Sequence, residues 1–374
     1  MAVARRYLKA RFKKEKIKIL DEFCATAGYN RNYAIEKLRN INFKGPPEKK
    51  RVREKLYSAE TDAVLIQIWE TYGCICAERL HPFIPEGLRI LEKFDHIGIT
   101  DGIKNELFKM SRSTIGRRIA RHRKLNVCKG FSATKPGTLL KKHIPIQTKS
   151  WDINKAGFME MDLVAHCGGS LSGDFIYTLQ AVDIRTTWTE RVAVMGKSQK
   201  VVFEGIKDMR ERLPFPLLGI DSDNGSEFIN DELWKYCEKE DIKFTRSRPY
   251  EKKDNAHIEQ KNWTLVRKIL GYSRFDTQHQ LLLINDLYDN ELRLFINFFQ
   301  PTLKLASKER YGARIKRVYD KAKTPYQRVM ESCEVTEEKK KRLKAVYEAI
   351  DPMNLRQNID KQLKNIFSCV DSGF

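Results

Sequence analysis

Apolar residues recur at helical spacing through the first third of the chain and at strand spacing through its middle. In KIKILDEFCATAGYNRNYAIEKLR (16–39), Ile17, Leu20, Phe23 and Cys24 form one apolar stripe. Tyr33 (or Ala34), Ile35 and Leu38 form the next, so two short helices are predicted around Gly28, behind a basic arm. A second helical block is predicted from Ser58 to about Lys124, ending in NELFKMSRSTIGRRIARHRK. There Met110-Ser111 reads as a turn, Ser113 as the N-cap, and Ile115 and Ile119 as the inward face. From residue 157 the period shortens. GFMEMDLVAHC, DFIYTLQAVDIR and TWTERVAVM read as three strands separated by short turns. Then come a helix over 199–213, a strand at Leu217–Ile220, a helix over 227–240 and a fifth strand in KFTRSR (243–248). AHIEQKNWTLVRKILG (256–271) and a longer stretch at about 278–299 read as helices. The tail has PTLKL (301–305), a basic segment and two helices near 336–350 and 352–367. Three antiparallel-looking strands followed by alternating helix and strand describe an α/β sheet with helices on its faces.

Two segments break the pattern. KGPPEKKRVREK (44–55) and GFSATKPGTLLKKHIPIQT (130–148) read as linkers, which divides the chain into 1–43, 56–127, 150–300 and 301–374. The first and second parts each have the outline of a helix-turn-helix, whose second helix sits in the major groove of DNA. The third is the α/β part, and the fourth is basic and mainly helical. Charge sharpens this division. The formal net charge is +21, and residues 1–150 alone carry +18, while the middle of the chain is slightly acidic. A basic front joined to an acidic centre suggests a polyanion-binding module attached to chemistry that needs carboxylates. No stretch approaches the apolar length of a membrane span, and the basic start is not followed by the apolar core of a secretory signal. The eight cysteines are scattered without the paired spacing of a zinc finger, so reduced thiols in the cytoplasm are expected.

The stretch IDSDNGSEFIN (220–230) ends an apolar strand in carboxylates, which are costly to bury without compensation. Either Asp223 or Ser226 caps a helix starting near Glu227, or Asp223 holds a metal ion. Asp162 stands inside the hydrophobic strand FMEMDLV, and Glu259 lies in DNAHIEQKN, in the first turn of a helix that Asp254 or Asn255 can cap. Sixty residues separate the two aspartates, and 35 separate Asp223 from Glu259. Few carboxylates and no His or Cys set suit Mg²⁺.

These three motifs, in this order, resemble the catalytic triad of the retroviral-integrase superfamily. The match is closest to integrase-core DDE transposases of bacterial insertion sequences. FFQPTLKL (298–305) and YDKAKTPYQRV (319–329) also look like segments that follow the core in such enzymes. The resemblance implies an RNase H-like catalytic core, a mixed five-stranded sheet with helices on both faces, over about 150–300. It implies catalysis by Asp162, Asp223 and Glu259, which would also hold two Mg²⁺ (or Mn²⁺) ions per active site. Strand cleavage and strand transfer on double-stranded DNA follow, at the element ends and at a target. A homo-oligomer on DNA is expected, with neither a membrane nor a nucleotide cofactor, in a nucleoid-associated cytoplasmic protein. One departure concerns the basic residue that relatives often carry two turns after the glutamate. Here that position is Val266, and Lys261, Arg267 and Lys268 are the nearest cations.

Candidate DNA-contacting residues are Arg31 and Tyr33 in the first unit. In the second they are Arg112, Ser113, Thr114, Arg117, Arg118 and Arg121, with Arg123 and Lys124 beyond. Lys261 and Arg267 complete the set. Asn224, Asn255 and His257 are candidates for supporting the acids. Asp183 is expected to hold a turn or pair with Arg185, Asp221 to hydrogen-bond locally, and His166 to be an ordinary strand-end residue. Trp188, Trp234 and Trp263 are expected in the core. Two other readings stay open: a transposase-derived DNA-binding regulator without catalysis, and an RNase H-like nuclease.

Overall fold

The computed structural model describes residues 2–40, 56–122, 155–223, 225–246, 258, 261–312 and 314–371. Both expected linkers lie largely or wholly outside them, as do Arg123 and Lys124. Contacts divide the chain into two compact units, residues 1–56 and 57–374.

The first unit is three helices, α1 (Ala2–Lys9), α2 (Lys13–Ala27) and α3 (Arg31–Arg39). Gly28 ends α2 in the left-handed region at φ +66°, which glycine adopts without a Cβ clash, and its N–H reaches the Cys24 carbonyl. Asn30 caps α3 by accepting from the Tyr33 N–H at 2.9 Å. The basic arm is itself helical, because Ala4 and Tyr7 are buried with Ile19, Leu20, Ala34 and Leu38. Ile17, expected on the inner stripe of α2, is instead 41% exposed.

The second unit opens with α4 (Ala59–Thr71), α5 (Ala77–Leu80), α6 (Ile84–Lys93), α7 (Asp101–Lys109) and α8 (Arg112–Ala120). Ser111 rather than Ser113 caps α8, its hydroxyl accepting from the Thr114 N–H, so the helix starts one residue after Met110-Ser111. Ile115 and Ile119 are buried in the same apolar core as the sheet.

The sheet comprises β1 (Phe158–Ala165), β2 (Ile176–Asp183), β3 (Thr189–Met195), β4 (Gly219–Ser222) and β5 (Lys243–Arg246). Its order is β3-β2-β1-β4-β5, with β2 antiparallel to both neighbours and β4 parallel to β1 and β5. This is the expected RNase H-like mixed sheet. All eight residues of β2 are buried, so both its faces are covered. Two helices follow the extended segment at Phe275, Gln278–Asp289 and Glu291–Phe299, broken at Asn290 where one continuous helix was expected. They close the free edge of β3. The Asn285 amide accepts from the Ala193 N–H at 2.7 Å and donates to its carbonyl at 3.0 Å. Asn297 does the same at Thr189, at 2.9 Å each way. Two side chains thus replace the missing neighbour strand.

Glu190, on β3, is 1% exposed and accepts from the Trp188 indole at 2.7 Å and from Arg293 at 2.8 Å. It is also 3.6 Å from the Arg212 guanidinium. The basic segment of the tail is a two-stranded ribbon, β6 (Leu305–Tyr311) and β7 (Arg314–Tyr319), which the helical expectation for 301–374 did not include. Helices Glu337–Ala349 and Pro352–Asp371 end the chain, and Tyr347, Leu355, Ile359 and Ile366 join the main core. Among the described residues no helix is long and apolar enough to cross a membrane.

Candidate active site

Strand register brings the two aspartates together. Glu160 pairs with Asp221 and Met161 with Ser222 across the parallel β1–β4 ladder. The next positions, Asp162 and Asp223, therefore fall side by side where β4 ends. Alternation along β1 gives Glu160 and Asp162 one face, and Asp221, opposite Glu160, takes that face of β4, with Asp223 one residue beyond the end of the strand.

Asp223 does not cap the following helix. That helix, Asp231–Lys239, is capped by Asn230, which accepts from the Leu233 N–H at 2.8 Å. The Asp223 carboxylate instead turns back to accept from the Gly225 N–H at 2.9 Å. Position 225 is crowded by acids. A Cβ there would meet the Glu227 carboxyl carbon at 2.6 Å and Asp223 Oδ1 at 2.9 Å, so a side chain at this position would displace both carboxylates. Glu227 is 2% exposed, and burial pushes its carboxyl up from the ordinary value against the pull of Lys197.

Asp162 is half-buried, with Oδ1 accepting from the Leu163 N–H at 2.8 Å and Oδ2 from the Asn262 amide at 2.6 Å. Asn262 in turn accepts from Gln180 at 2.8 Å, and Gln180 stands opposite Asp162 on β2. The relay Gln180–Asn262–Asp162 fixes the carboxylate's orientation. Glu160 is almost fully buried and accepts from the Ile258 N–H at 3.0 Å, which ties down the residue directly before Glu259. Glu259 itself lies outside the described residues, as do Asn224, Asn255 and His257. Among the described residues no group of three or more His, Cys, Asp or Glu is arranged to hold a metal.

The sequence reading missed Glu160, Gln180 and Asn262. Glu160 and Gln180 were visible as polar residues within buried strands, and Asn262 is three residues after Glu259. The segment Asn262–Arg267 is π-helical, and that changes which residues face inward. Val266, the position at which the family resemblance raised the expectation of a cation, is fully buried, while Trp263, expected in the core, is 57% exposed. Arg191, buried beneath, donates to the Leu265 carbonyl at 3.0 Å and stacks 5.0 Å from the Tyr288 ring centre. Lys261 is half-buried, and desolvation, helped by Arg79, Arg191 and Arg328, pushes its ammonium down to about 7. Arg267 stacks on Tyr272 at 4.9 Å.

The neighbours behave as structural residues. Asp183 is fully buried and holds its turn, accepting from the Gly157 N–H at 2.7 Å and from Thr186 at 2.6 Å. Asp221 accepts from the Thr245 hydroxyl at 2.5 Å. His166 is buried against Thr178 at 2.8 Å, and burial pushes its imidazole down to about 3. Trp188 is fully buried and Trp234 partly so.

Of the candidate DNA contacts, Arg112, Ser113, Arg117 and Arg121 are exposed on and just after α8, with Thr114 half-buried. Arg118 is taken up by an ion pair with Asp62 and by the Tyr57 ring, so it fastens α8 to the rest of the unit. On α3, Arg31 pairs with Asp21, and Tyr33 is 44% exposed against Tyr29.

A family model described as "Integrase core domain" matches residues 154–252. A curated relative, the uncharacterized protein y4rM of Sinorhizobium fredii, is 35% identical over 321 residues, covering 85% of this chain and 90% of the relative. Among solved structures, the HTLV-2 integrase catalytic core domain in complex with magnesium (dimeric form) is 16% identical. It covers 40% of this chain and 90% of that one, at a TM-score of 0.30. The catalytic core domain of BIV integrase is 18% identical, covering 46% and 91%, at 0.31. With the family match spanning β1 to β5 and the relative aligned over nearly its full length, this chain belongs to the integrase-core family.

Proposed function

We propose that the chain is a DNA transposase that binds the ends of its mobile element and performs Mg²⁺-dependent strand cleavage and strand transfer. The observation that carries this reading is the β1–β4 register, which sets Asp162 beside Asp223 at the mouth of the sheet. Family membership supports it: integrase-core proteins act in DNA integration as polynucleotidyl transferases. The donor chemistry fits a hard cation, because the three acids offer only carboxylate oxygens and the surrounding β1 and β4 face is itself acidic. Asp162, Asp223 and Glu259 would hold the metal, which when bound supplies Lewis-acid stabilisation at the scissile phosphate. Asn262 and Gln180 hold the Asp162 carboxylate in one orientation, and Glu160 fixes the chain before Glu259. Gly225 leaves the space in which Asp223 turns. The exposed residues of α8, together with α3, are the surfaces offered to the element ends.

Asp223→Asn tests this. The amide is nearly isosteric but a poor ligand for Mg²⁺, so end-DNA binding should persist while cleavage of an end-containing duplex disappears. Retained cleavage defeats the reading. A wild-type protein that binds ends in a gel shift but never cuts them, with Mg²⁺ or Mn²⁺ present, supports a DNA-binding regulator instead.

A further inference from the structure

The β6–β7 ribbon is unlike any other element of the second unit. Every residue of both strands is exposed, and among the described residues the two strands pair only with each other. Its base, in contrast, is clamped. Thr302 and Lys323 exchange backbone hydrogen bonds at 2.8 and 3.1 Å. The Lys304 N–H donates to Asp320 at 2.7 Å, and Asp320 pairs with Arg328 at 2.8 Å. Lys304 Nζ donates to the Ile184 and Arg185 carbonyls at 2.9 Å each, which fixes the base to the β2–β3 turn. A rigid foot therefore carries a projecting arm, about 20 Å long at the usual rise of ~3.3 Å per residue.

The arm's two faces differ in charge. On one, Glu309 opposes Lys316 and accepts from the Tyr311 hydroxyl, and Tyr311 opposes Arg314, so that face carries an acid among its cations. On the other, Lys308 opposes Arg317 directly, and Arg310 follows two residues along, opposite Ile315. Among the described residues none of Lys308, Arg310 and Arg317 forms an ion pair. Like charges placed directly across a ladder destabilise it, and a two-stranded ribbon without a buried face is marginal in water. Such a face is stabilised by an anion laid along it. Tyr319 and Ile315, 51% and 44% exposed, lie on the same face and add flat apolar surface beside the cations.

We propose that the Lys308–Arg310–Arg317 face of this ribbon is a duplex-DNA contact, a β-arm that lies against phosphates of a groove wide enough to admit two strands. This rests on the reading of the chain as a DNA-acting enzyme and adds to it a surface separate from α3, α8 and the acidic site. A row of cations without an acidic partner matches a continuous polyanion better than a protein surface of mixed charge.

The test uses the full-length protein and a 30-base-pair duplex of mixed sequence, titrated by fluorescence anisotropy over a salt series. The triple variant Lys308→Gln, Arg310→Gln, Arg317→Gln should bind at least tenfold more weakly at moderate salt. Its plot of log affinity against log salt should be shallower by roughly 2 to 3, at about 0.9 per phosphate contact. The charge-keeping variant Lys308→Arg, Arg310→Lys, Arg317→Lys should restore both. Arg314→Gln with Lys316→Gln, on the opposite face, should cost less than threefold. Because the altered residues are exposed, an unchanged melting temperature shows that the triple variant is folded. Equal affinity and equal salt slope for wild type and the triple glutamine variant overturn the proposal. So does a variant that keeps duplex affinity but loses a dimer by light scattering, which would make the arm a contact between copies. If the ribbon variant binds duplex normally while Asp223→Asn abolishes cleavage, the arm fails and the transposase reading stands. A wild-type protein that neither binds nor cuts any duplex removes both.

Discussion

The central sheet and the β6–β7 ribbon are built from the same backbone geometry and are stabilised in opposite ways. In β2 every side chain is buried, and in the ribbon every one is exposed. Burying each large apolar side chain of the sheet contributes about 1.5–3 kcal/mol, whereas the ribbon gains almost nothing from burial and depends on its clamped base. A sheet residue therefore answers first to packing. A ribbon residue is free to answer to a ligand. The acidic site sits between these cases, since its carboxylates are carried by core strands but stand where the sheet opens.

The largest effect expected inside the sheet is on chemistry, not stability. Asp162→Asn should lower cleavage of end DNA by on the order of a thousandfold and leave the thermal midpoint within a few degrees of wild type, read by calorimetry. A large loss of stability instead would make Asp162 a packing residue. Next comes Glu190→Ala, which leaves the Trp188 indole without its acceptor, takes the carboxylate from Arg293, and removes a buried counter-charge 3.6 Å from Arg212. It should cost about 3–5 kcal/mol in urea unfolding, and a cost below 1 would show that the cluster relaxes. Asn285→Ala opens the β3 edge by stripping Ala193 of both its partners. A loss of about 1–3 kcal/mol is expected, visible also as faster amide exchange at Ala193.

Acid should destabilise the sheet through His166. Its folded value, about 3, lies below the ordinary 6.5, so between these pH values the unfolded chain binds more protons than the folded one. Stability therefore rises with pH across that window and is lost as pH falls through it. This single group contributes up to about 1.4 kcal/mol per pH unit. Buried Nδ1 has no hydrogen-bond partner among the described residues, so a proton added there would have none of them to bond. His166→Gln should flatten the acid limb of the stability curve, and an unchanged limb would assign it to other groups. The smallest effect belongs to the ribbon. Ile315→Ser should change stability by no more than about 0.5 kcal/mol, because its side chain covers nothing. A larger loss would show that the ribbon packs after all.

Much of this was legible in the chain. FMEMDLV, DFIYTLQAVDIR and TWTERVAVM became strands because β-branched and aromatic residues at short period have one good way to be buried. Asp162 and Asp223 stood out because strand interiors and strand ends rarely carry acids. The ribbon was not legible, since LASKERY and RIKRVY lack the apolar alternation that burial imposes on a core strand. Trp263, expected in the core, was misplaced, because it lies in a segment that winds as a π-helix, where a period of 3.6 does not hold.

The sequence by itself determined which residues are apolar, which acids are out of place and how far apart they lie along the chain. Those follow from local propensity and burial, which act within a few residues. Only the tertiary structure decided that Met161 pairs with Ser222, so that Asp162 and Asp223 meet across 60 residues of intervening chain. It also decided that Asn230 and not Asp223 caps the next helix, that Asn262 and Gln180 steer Asp162, and that Lys308 faces Arg317. Register and side-chain partnership are set by how distant segments pack, and a pattern read one stretch at a time contains no information about that.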